Sequence, residues 1–425
     1  MKSIPQYIHY MYSYPHKTAY RTFDVPVNLS TYLNKVENKD ATLYFHIPFC
    51  RYKCGFCNLF SRQGYNEQLI SSYLDAMNRQ ARQLSALTKK IRFTSFAIGG
   101  GTPLILNKLQ LKQLLEIASL FNVDPQHTFT SIETSPSFAD EEILEILAQK
   151  GVKRMSIGIQ SFDPAELRAV KRNVPVGTCL SALETIKKLS FPQFNIDLIY
   201  GIEGQTMESF LDSVRQALSY DPTELFLYPL YVRQGVQIHT KERNELLYKM
   251  YLSGRDELMK QGFKQTSMRR FVRDNTLSND PEYSCGDETV ISCGCGGRSY
   301  MDNLHYATPY AVEQNRISDI IGEYITTSDF TQVHTGYILS EDEQKRRFII
   351  KNLMYYRGLD KKEYRERFGE EPEQLLFDNL KNKGFIYDSN GFIRLTPIGM
   401  AFSDDIGQQF ISQTVRKKMT EYSLQ

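Results

Sequence analysis

From residue 42 to about 230, apolar runs of strand length alternate with segments of helical period. The runs cover 43–47, 95–98, 129–133, 154–159, 194–199 and 224–230. Between them, residues 68–87, 108–120, 141–149, 179–189 and 206–218 repeat their apolar positions every three to four residues. Near-continuous apolar runs predict strands buried on both faces, and strands spaced by helices predict a parallel sheet with right-handed crossovers. Six such units are too few for a closed eight-stranded barrel. The pattern predicts an α/β fold of six βα units, whose strand carboxyl ends face a ligand.

Beyond 230 the pattern changes. Residues 241–261 predict a helix, and 263–272 alternate as one strand. Residues 288–300 form a Gly- and Cys-rich strand and loop. A separate unit follows: helices over 342–356, 360–368 and 375–383, then two short strands joined through Ser389-Asn390-Gly391, a strong turn signal. It reads as three helices followed by a terminal hairpin. The expected organisation is therefore a strap over 1–41, the partial barrel over 42–235, a barrel extension over 236–340 and the C-terminal domain over 341–425. The strap is rich in tyrosine, with Tyr7, Tyr10, Tyr12, Tyr14 and Tyr20. It either packs those rings on the barrel or acts as a lid whose His16, Lys17 and Arg21 reach an anionic ligand.

Composition narrows the function classes. Of 425 residues, 41% are hydrophobic, enough for a substantial core. The 51 basic and 49 acidic residues nearly cancel, and the net charge of +2 gives no electrostatic case for nucleic acid. The C-terminal unit has no basic face for a DNA-binding wing. No apolar run approaches the roughly 20 residues of a membrane span. The polar, aromatic N-terminus lacks a signal-peptide core. Seven cysteines, three of them clustered, suit a reducing cytoplasmic setting with a metal site.

The clustered thiols are Cys50, Cys54 and Cys57, spaced C-x3-C-x2-C directly after the first apolar run. Thiolates are the ligands of iron–sulfur clusters. Three of them leave one iron of a 4Fe-4S cluster open for chemistry, whereas a structural zinc knuckle closes with a fourth ligand. Polar residues recur at the later strand ends. The second run ends in Gly99-Gly100-Gly101-Thr102-Pro103, where glycines permit close backbone approach. The third ends in Glu133, a carboxylate that needs a rim ion pair or a ligand. The fourth ends in Gln160. The fifth holds Asp197, which needs a ligand hydroxyl or a nearby base. Arg172 stands among arginines that ordinarily remain solvated. Cys285, Cys293 and Cys295 admit a second cluster, a catalytic thiol or buried packing.

Tyr44-Phe45-His46-Ile47-Pro48-Phe49-Cys50, with Cys54, Phe56 and Cys57, resembles the radical S-adenosylmethionine (SAM) superfamily. Within it, the chain is similar to the oxygen-independent coproporphyrinogen III oxidases and the related heme chaperones, which implies an α/β fold with an open partial (β/α)6 barrel of TIM type and a C-terminal winged-helix-like α+β domain. The resemblance implies a 4Fe-4S cluster on Cys50, Cys54 and Cys57, with SAM chelated to the open iron and cleaved to a 5′-deoxyadenosyl radical. It implies that Tyr44 and Phe56 neighbour SAM and its adenine, and that Gly100, Gly101 and Thr102 meet its amino group. Glu133 and Asp197 would contact the ribose, Gln160 the ribose or adenosyl edge, and Arg172 the carboxylate. The Gly-rich loop near 294 would lie by the substrate and a second SAM. The implied partners are a small-molecule, tetrapyrrole-like substrate and an electron donor such as flavodoxin or ferredoxin. The oxidases carry a fourth cysteine where this chain has Leu59. The resemblance therefore also admits a heme chaperone, a two-SAM radical methyltransferase or an anaerobic heme-degrading enzyme.

Overall fold

The computed structural model describes residues 5–7, 10–11, 13–37, 39–231, 241–273, 289–372 and 374–422. The strap supplies β1 (Arg21–Asn28). Then come β2 (Asp40–Ile47), β3 (Arg92–Gly100), β4 (Phe129–Thr134), β5 (Arg154–Gln160), β6 (Gln193–Tyr200) and β7 (Glu224–Pro229). The helices Glu67–Leu87, Lys108–Ser119, Glu141–Gln149, Val176–Leu189 and Met207–Leu218 connect β2 through β7. Side chains cap several of their first turns: Asn66, Asp140, and the capping boxes Asn107 with Gln110 and Thr206 with Ser209. Such caps satisfy amide groups that a helix start leaves open.

The sheet continues through β8 (Phe263–Gln265), β9 (Arg270–Arg273), β10 (Val290–Cys293), β11 (Arg298–Met301), β12 (Leu304–Ala307) and β13 (Gln332–Ile338). Its 13 strands lie in the order β1-β13-β12-β11-β10-β2-β3-β4-β5-β6-β7-β9-β8. β2 to β7 are parallel neighbours, as the alternation predicts, and β10 adds to β2 in parallel. The stretch expected as one strand over 263–272 is instead the antiparallel hairpin of β8 and β9. The connecting residues Thr266–Arg269 contain neither Gly nor Pro, so no turn signal marks the break. A second sheet pairs β14 (Leu359–Asp360) with β16 (Phe392–Leu395), and β16 with β15 (Ile386–Ser389). Asn390 and Gly391 both have positive φ, 50° and 83°, as a two-residue hairpin turn requires. Three further helices follow: Pro397–Ala401, Ser403–Gln409 and Gln413–Thr420.

Register sorts the strand residues by face. Pairings His46 with Gly99, Glu133 with Ser156, Gly158 with Asp197, and Asp197 with Phe226 link one set of side chains. Strand alternation extends that set to Tyr44, Asn195 and Tyr228. The other face is apolar and sealed by the helices: Phe45, Ile98, Ile132, Ile157, Ile196, Leu198, Leu225 and Leu227 are buried. Each such side chain contributes about 1.5–3 kcal/mol. The inner face is polar instead. Its amino end is an ionic layer in which Glu224 pairs with Arg154 and Arg270. Those arginines overcome burial and hold the Glu224 carboxyl below its usual range. Both faces are covered, yet only one is apolar.

Candidate active site

The cysteine loop follows β2 and is fastened at several points. Cys50 N–H donates to Arg62 O at 3.0 Å, and Gly55 N–H donates to Val170 O at 2.8 Å. Cys50, Cys54 and Cys57 are free thiols, all half-buried. Burial pushes the Cys57 thiol up and the nearby Cys54 and Cys50 add to the rise, while the backbone at Leu59 works against it. Cys50 Sγ lies 3.3 Å from Thr102 Oγ1, and Arg172 Nη1 lies 3.6 Å from Cys54 Sγ. Among the described residues no three acidic, Cys or His groups converge on a single ion. Three thiolates serving three different irons need not do so.

The glycine run lies directly against this loop. Gly101 and Thr102 donate their N–H groups to Ile47 O and Phe49 O, each at 2.8 Å. A Cβ on Gly100, whose φ is +124°, would come within 2.6 Å of Ile47 O, and one on Gly101 would strike Phe49 O. Gly99 was not singled out by sequence reasoning, yet a Cβ there would lie 3.0 Å from both Glu133 Oε2 and Tyr44 OH. Its bareness keeps open the space between those groups. The sequence signal was present, because Gly99 opens the same triplet.

Glu133 and Asp197 face each other across the inner surface. Glu133 is exposed to water on this face. Desolvation, with the Asp197 charge adding, pushes its pKa up to about 7 against the pull of Arg154. Burial raises Asp197 to about 6, although Asn195 Nδ2 donates to its Oδ1 at 2.8 Å. In place of the nearby base expected for Asp197, the structure gives it the side-chain amide of Asn195, two residues earlier on the same face. Asn195 also donates to Ser156 Oγ at 2.7 Å, while its own Oδ1 is buried without a hydrogen-bond partner.

Gln160 ends β5 with φ +78°, an uncommon conformation for a residue with a side chain. Its Nε2 occupies the space a Cβ on Gly158 would need, 2.6 Å away. Arg172 is buried and donates to Gly158 O as well as reaching Cys54, which leaves its Nε buried and unpartnered. Phe56 packs with Val170, Ile199, Ile202 and Tyr228 in an apolar patch between the cysteine loop and β7. Tyr44 OH is 3.0 Å from His46 Nδ1, and His46 Nε2 is 3.0 Å from Phe60 O. Burial lowers His46 to about 4, so it is neutral: Nε2–H donates to Phe60 O and Nδ1 accepts from Tyr44. His46 thus orients Tyr44, a role that its position two residues away on one strand face could have suggested.

Of the strap residues offered as a lid, Lys17 reaches the cysteine loop, donating to Asn58 O at 3.2 Å. His16 caps its own short turn, and Arg21 donates to Lys418 O. Cys293 and Cys295 are fully buried, with thiols pushed far up by burial. Cys285 and Tyr12 lie outside the described residues.

The donor set suits the cofactors that the sequence resemblance implies. Three neighbouring thiols adjoin a glycine cradle, two facing carboxylates, and buried atoms of Arg172 and Asn195 that have no partner within the protein. Comparison with known proteins agrees. Residues 44–217 match the radical SAM superfamily, and 339–402 match the HemN C-terminal domain. The chain is 24% identical over 381 residues to the heme chaperone HemW of Buchnera aphidicola, spanning 87% of this chain and 98% of that protein. It is 26% identical over 419 residues to the oxygen-independent coproporphyrinogen III oxidase of Bradyrhizobium diazoefficiens, spanning 92% and 91%. Its fold matches coproporphyrinogen III oxidase (HemN) from Escherichia coli with a TM-score of 0.79 at 22% identity, over 94% of this chain and 96% of that one. Among the described residues no helix is long and apolar enough to cross a membrane. A 4Fe-4S cluster and SAM are the cofactors of this family. The chain carries a radical SAM domain over residues 44–217 and a HemN C-terminal domain over residues 339–402.

Proposed function

We propose that the chain is a radical SAM enzyme that abstracts hydrogen from a tetrapyrrole-like substrate. The observation that supports this best is the set of polar residues that register aligns on one face beside the cysteine loop. When bound, the cluster and SAM supply one-electron cleavage of a sulfonium and thereby a radical able to take hydrogen. The protein's share is positioning. Cys50, Cys54 and Cys57 hold the cluster. Glu133 and Asp197 accept hydrogen bonds from the ribose hydroxyls, as ionised carboxylates can. Arg172, with its spare Nε–H, holds the SAM carboxylate. Gly100, Gly101 and Thr102 offer backbone to the amino group, Gln160 meets the ribose or adenosyl edge, and Tyr44 and Phe56 flank the adenine. Similarity to proteins named heme chaperones, over 98% of one such protein, favours a second reading. In that reading the chain binds and delivers heme with little SAM turnover.

Anaerobic incubation of the reconstituted protein with dithionite, SAM and candidate tetrapyrroles separates the two, read by mass spectrometry. Substrate-dependent 5′-deoxyadenosine supports the enzyme. Stoichiometric heme binding without it supports the chaperone. S-adenosylhomocysteine among the products would point to a two-SAM methyltransferase.

A further inference from the structure

Beyond Asp197, the inner face becomes aromatic. Phe226 and Tyr228 follow on β7, their rings stacked at 5.6 Å and 12°. Tyr10 of the strap stacks on Tyr231 at 5.6 Å and 15° and meets Tyr228 edge-on at 6.3 Å. All four rings are half-buried, so each still presents surface. Arg269 lies beneath Tyr10, its guanidinium carbon 4.0 Å from the ring centre. Arg269 is buried, and its charge is matched by Asp404, which comes from the C-terminal helix Ser403–Gln409 and is equally buried. Asp404 also accepts from Tyr231 OH and, at 3.0 Å, from the backbone N–H of Met11. One carboxylate thus fixes the strap, the arginine and a ring of the wall.

We propose that Tyr10, Phe226, Tyr228 and Tyr231 form an electrically neutral aromatic wall for one side of a flat conjugated ring, and that Asp404 keeps it neutral by pairing with Arg269. The inference rests on the tetrapyrrole reading and adds which kind of ring fits. Adjoining aromatic faces favour stacking with another π-system. A carboxylate directed at this wall would find the guanidinium charge already matched by Asp404 and only a buried Nε–H still unpaired among its described donors, so its desolvation would be poorly compensated. A ring with its acidic groups on a single edge can turn that edge away; a ring with acidic groups around its whole rim cannot. The preferred ligand is therefore a conjugated macrocycle acidic on one edge. Asp404 and Arg269 are positioning residues, and the four rings are the contact surface.

The test uses the full chain with its cluster reconstituted, under anaerobic conditions without reductant. Zinc protoporphyrin IX, with two carboxylates on one edge, and zinc coproporphyrin III, with four around the rim, are titrated by fluorescence. The wild type should bind the first more tightly. Tyr10→Leu and Tyr231→Leu should each weaken it by roughly threefold to tenfold. Tyr231→Phe keeps the ring and should retain binding, which guards against a misfolded Leu variant. Asp404→Asn, by unmasking Arg269, should shift the preference toward the four-carboxylate ring. Equal binding by wild type and both Leu variants would overturn the wall while leaving the tetrapyrrole reading intact. So would tighter wild-type binding of the four-carboxylate ring. Failure of the wild type to bind either probe would remove both.

Discussion

The cysteine end and the strap end of the inner face are built in opposite ways. At the cysteine end, the groups sit on or just past successive strands, held by backbone bonds and by a side-chain pair on a single strand. Cys50 is tied to Arg62, Gly101 to Ile47, and Asp197 to Asn195. At the strap end, Tyr10, Tyr231, Arg269 and Asp404 come from four distant parts of the chain. Register fixes the first, because one strand slip would turn every side chain away. The second depends on a single buried carboxylate holding separate segments together. The cofactor end should therefore fail by losing individual ligands or close backbone contacts, and the strap end by losing its assembly.

The largest expected effect falls on the cluster ligands. Cys54→Ala should abolish assembly of a normal 4Fe-4S cluster, measured as iron and sulfide per chain, and with it SAM cleavage. Because the loop is also fastened by backbone bonds, the variant should still fold, with near-wild-type far-UV circular dichroism. A Cys54→Ala protein that kept its cluster would break the assignment of the cysteine end.

Next comes the backbone cradle. Gly101→Ala places a methyl against the Phe49 carbonyl, and backbone cannot yield as a flexible side chain can. We expect a loss on the order of 2–4 kcal/mol, read by denaturant unfolding. The control is Gly177→Ala in the helix Val176–Leu189, where nothing lies within 4 Å. There, alanine should be neutral or stabilising by about 0.5–1 kcal/mol. If the two variants behaved alike, close approach would not be what selects Gly101.

The third prediction concerns pH. Glu133 and Asp197 are raised to about 7 and about 6, so the folded protein holds protons there that the unfolded chain has released. Between the ordinary carboxylate range near pH 4 and pH 7, their contribution to stability falls as pH rises. Ligand binding should run the other way. The ionised pair accepts ribose hydroxyls, so SAM affinity should weaken about tenfold from pH 8 to pH 6, following ionisation of Glu133. Equilibrium dialysis against SAM measures it. Glu133→Gln should flatten that limb of the profile, and an unchanged profile would remove Glu133 from the ribose site.

The contrast between the two ends also explains what the sequence made legible. Strands and helices of the βα alternation lie within a few residues of their expected bounds, because each keeps one unbroken apolar face. The strap strand β1 escaped notice because it is an edge strand. It contains Pro26 and the exposed Val25, so it shows neither a core stripe nor an unbroken ladder. The inner-face carboxylates Glu133 and Asp197 stood out as polar breaks in apolar runs. Asn195 and His46 were less visible, since each acts through a neighbour two residues away. The aromatic wall was not legible at all. Nothing in the sequence near Tyr10 indicates that it meets Arg269, and that pairing exists only after the C-terminal helices dock.

The smallest expected effect falls on the link between the two ends. Lys17 Nζ donates to Asn58 O and stands 3.8 Å from the centre of the Tyr310 ring, while Tyr310 OH donates to the same carbonyl at 2.8 Å. Asn58 directly follows the last cysteine. The carbonyl is exposed, so water can replace either donor, and Lys17→Met should cost only about 0.5–1 kcal/mol. The cysteine loop keeps its other fastenings, Gly55 to Val170, Cys50 to Arg62, and Arg172 to Cys54. Cluster content should therefore stay at the wild-type level in Lys17→Met and in Tyr310→Phe. In the double variant the two losses should combine with a coupling below about 1 kcal/mol. Loss of the cluster in Lys17→Met alone would show that the strap holds the cysteine loop in place, and that the two ends are a single construction.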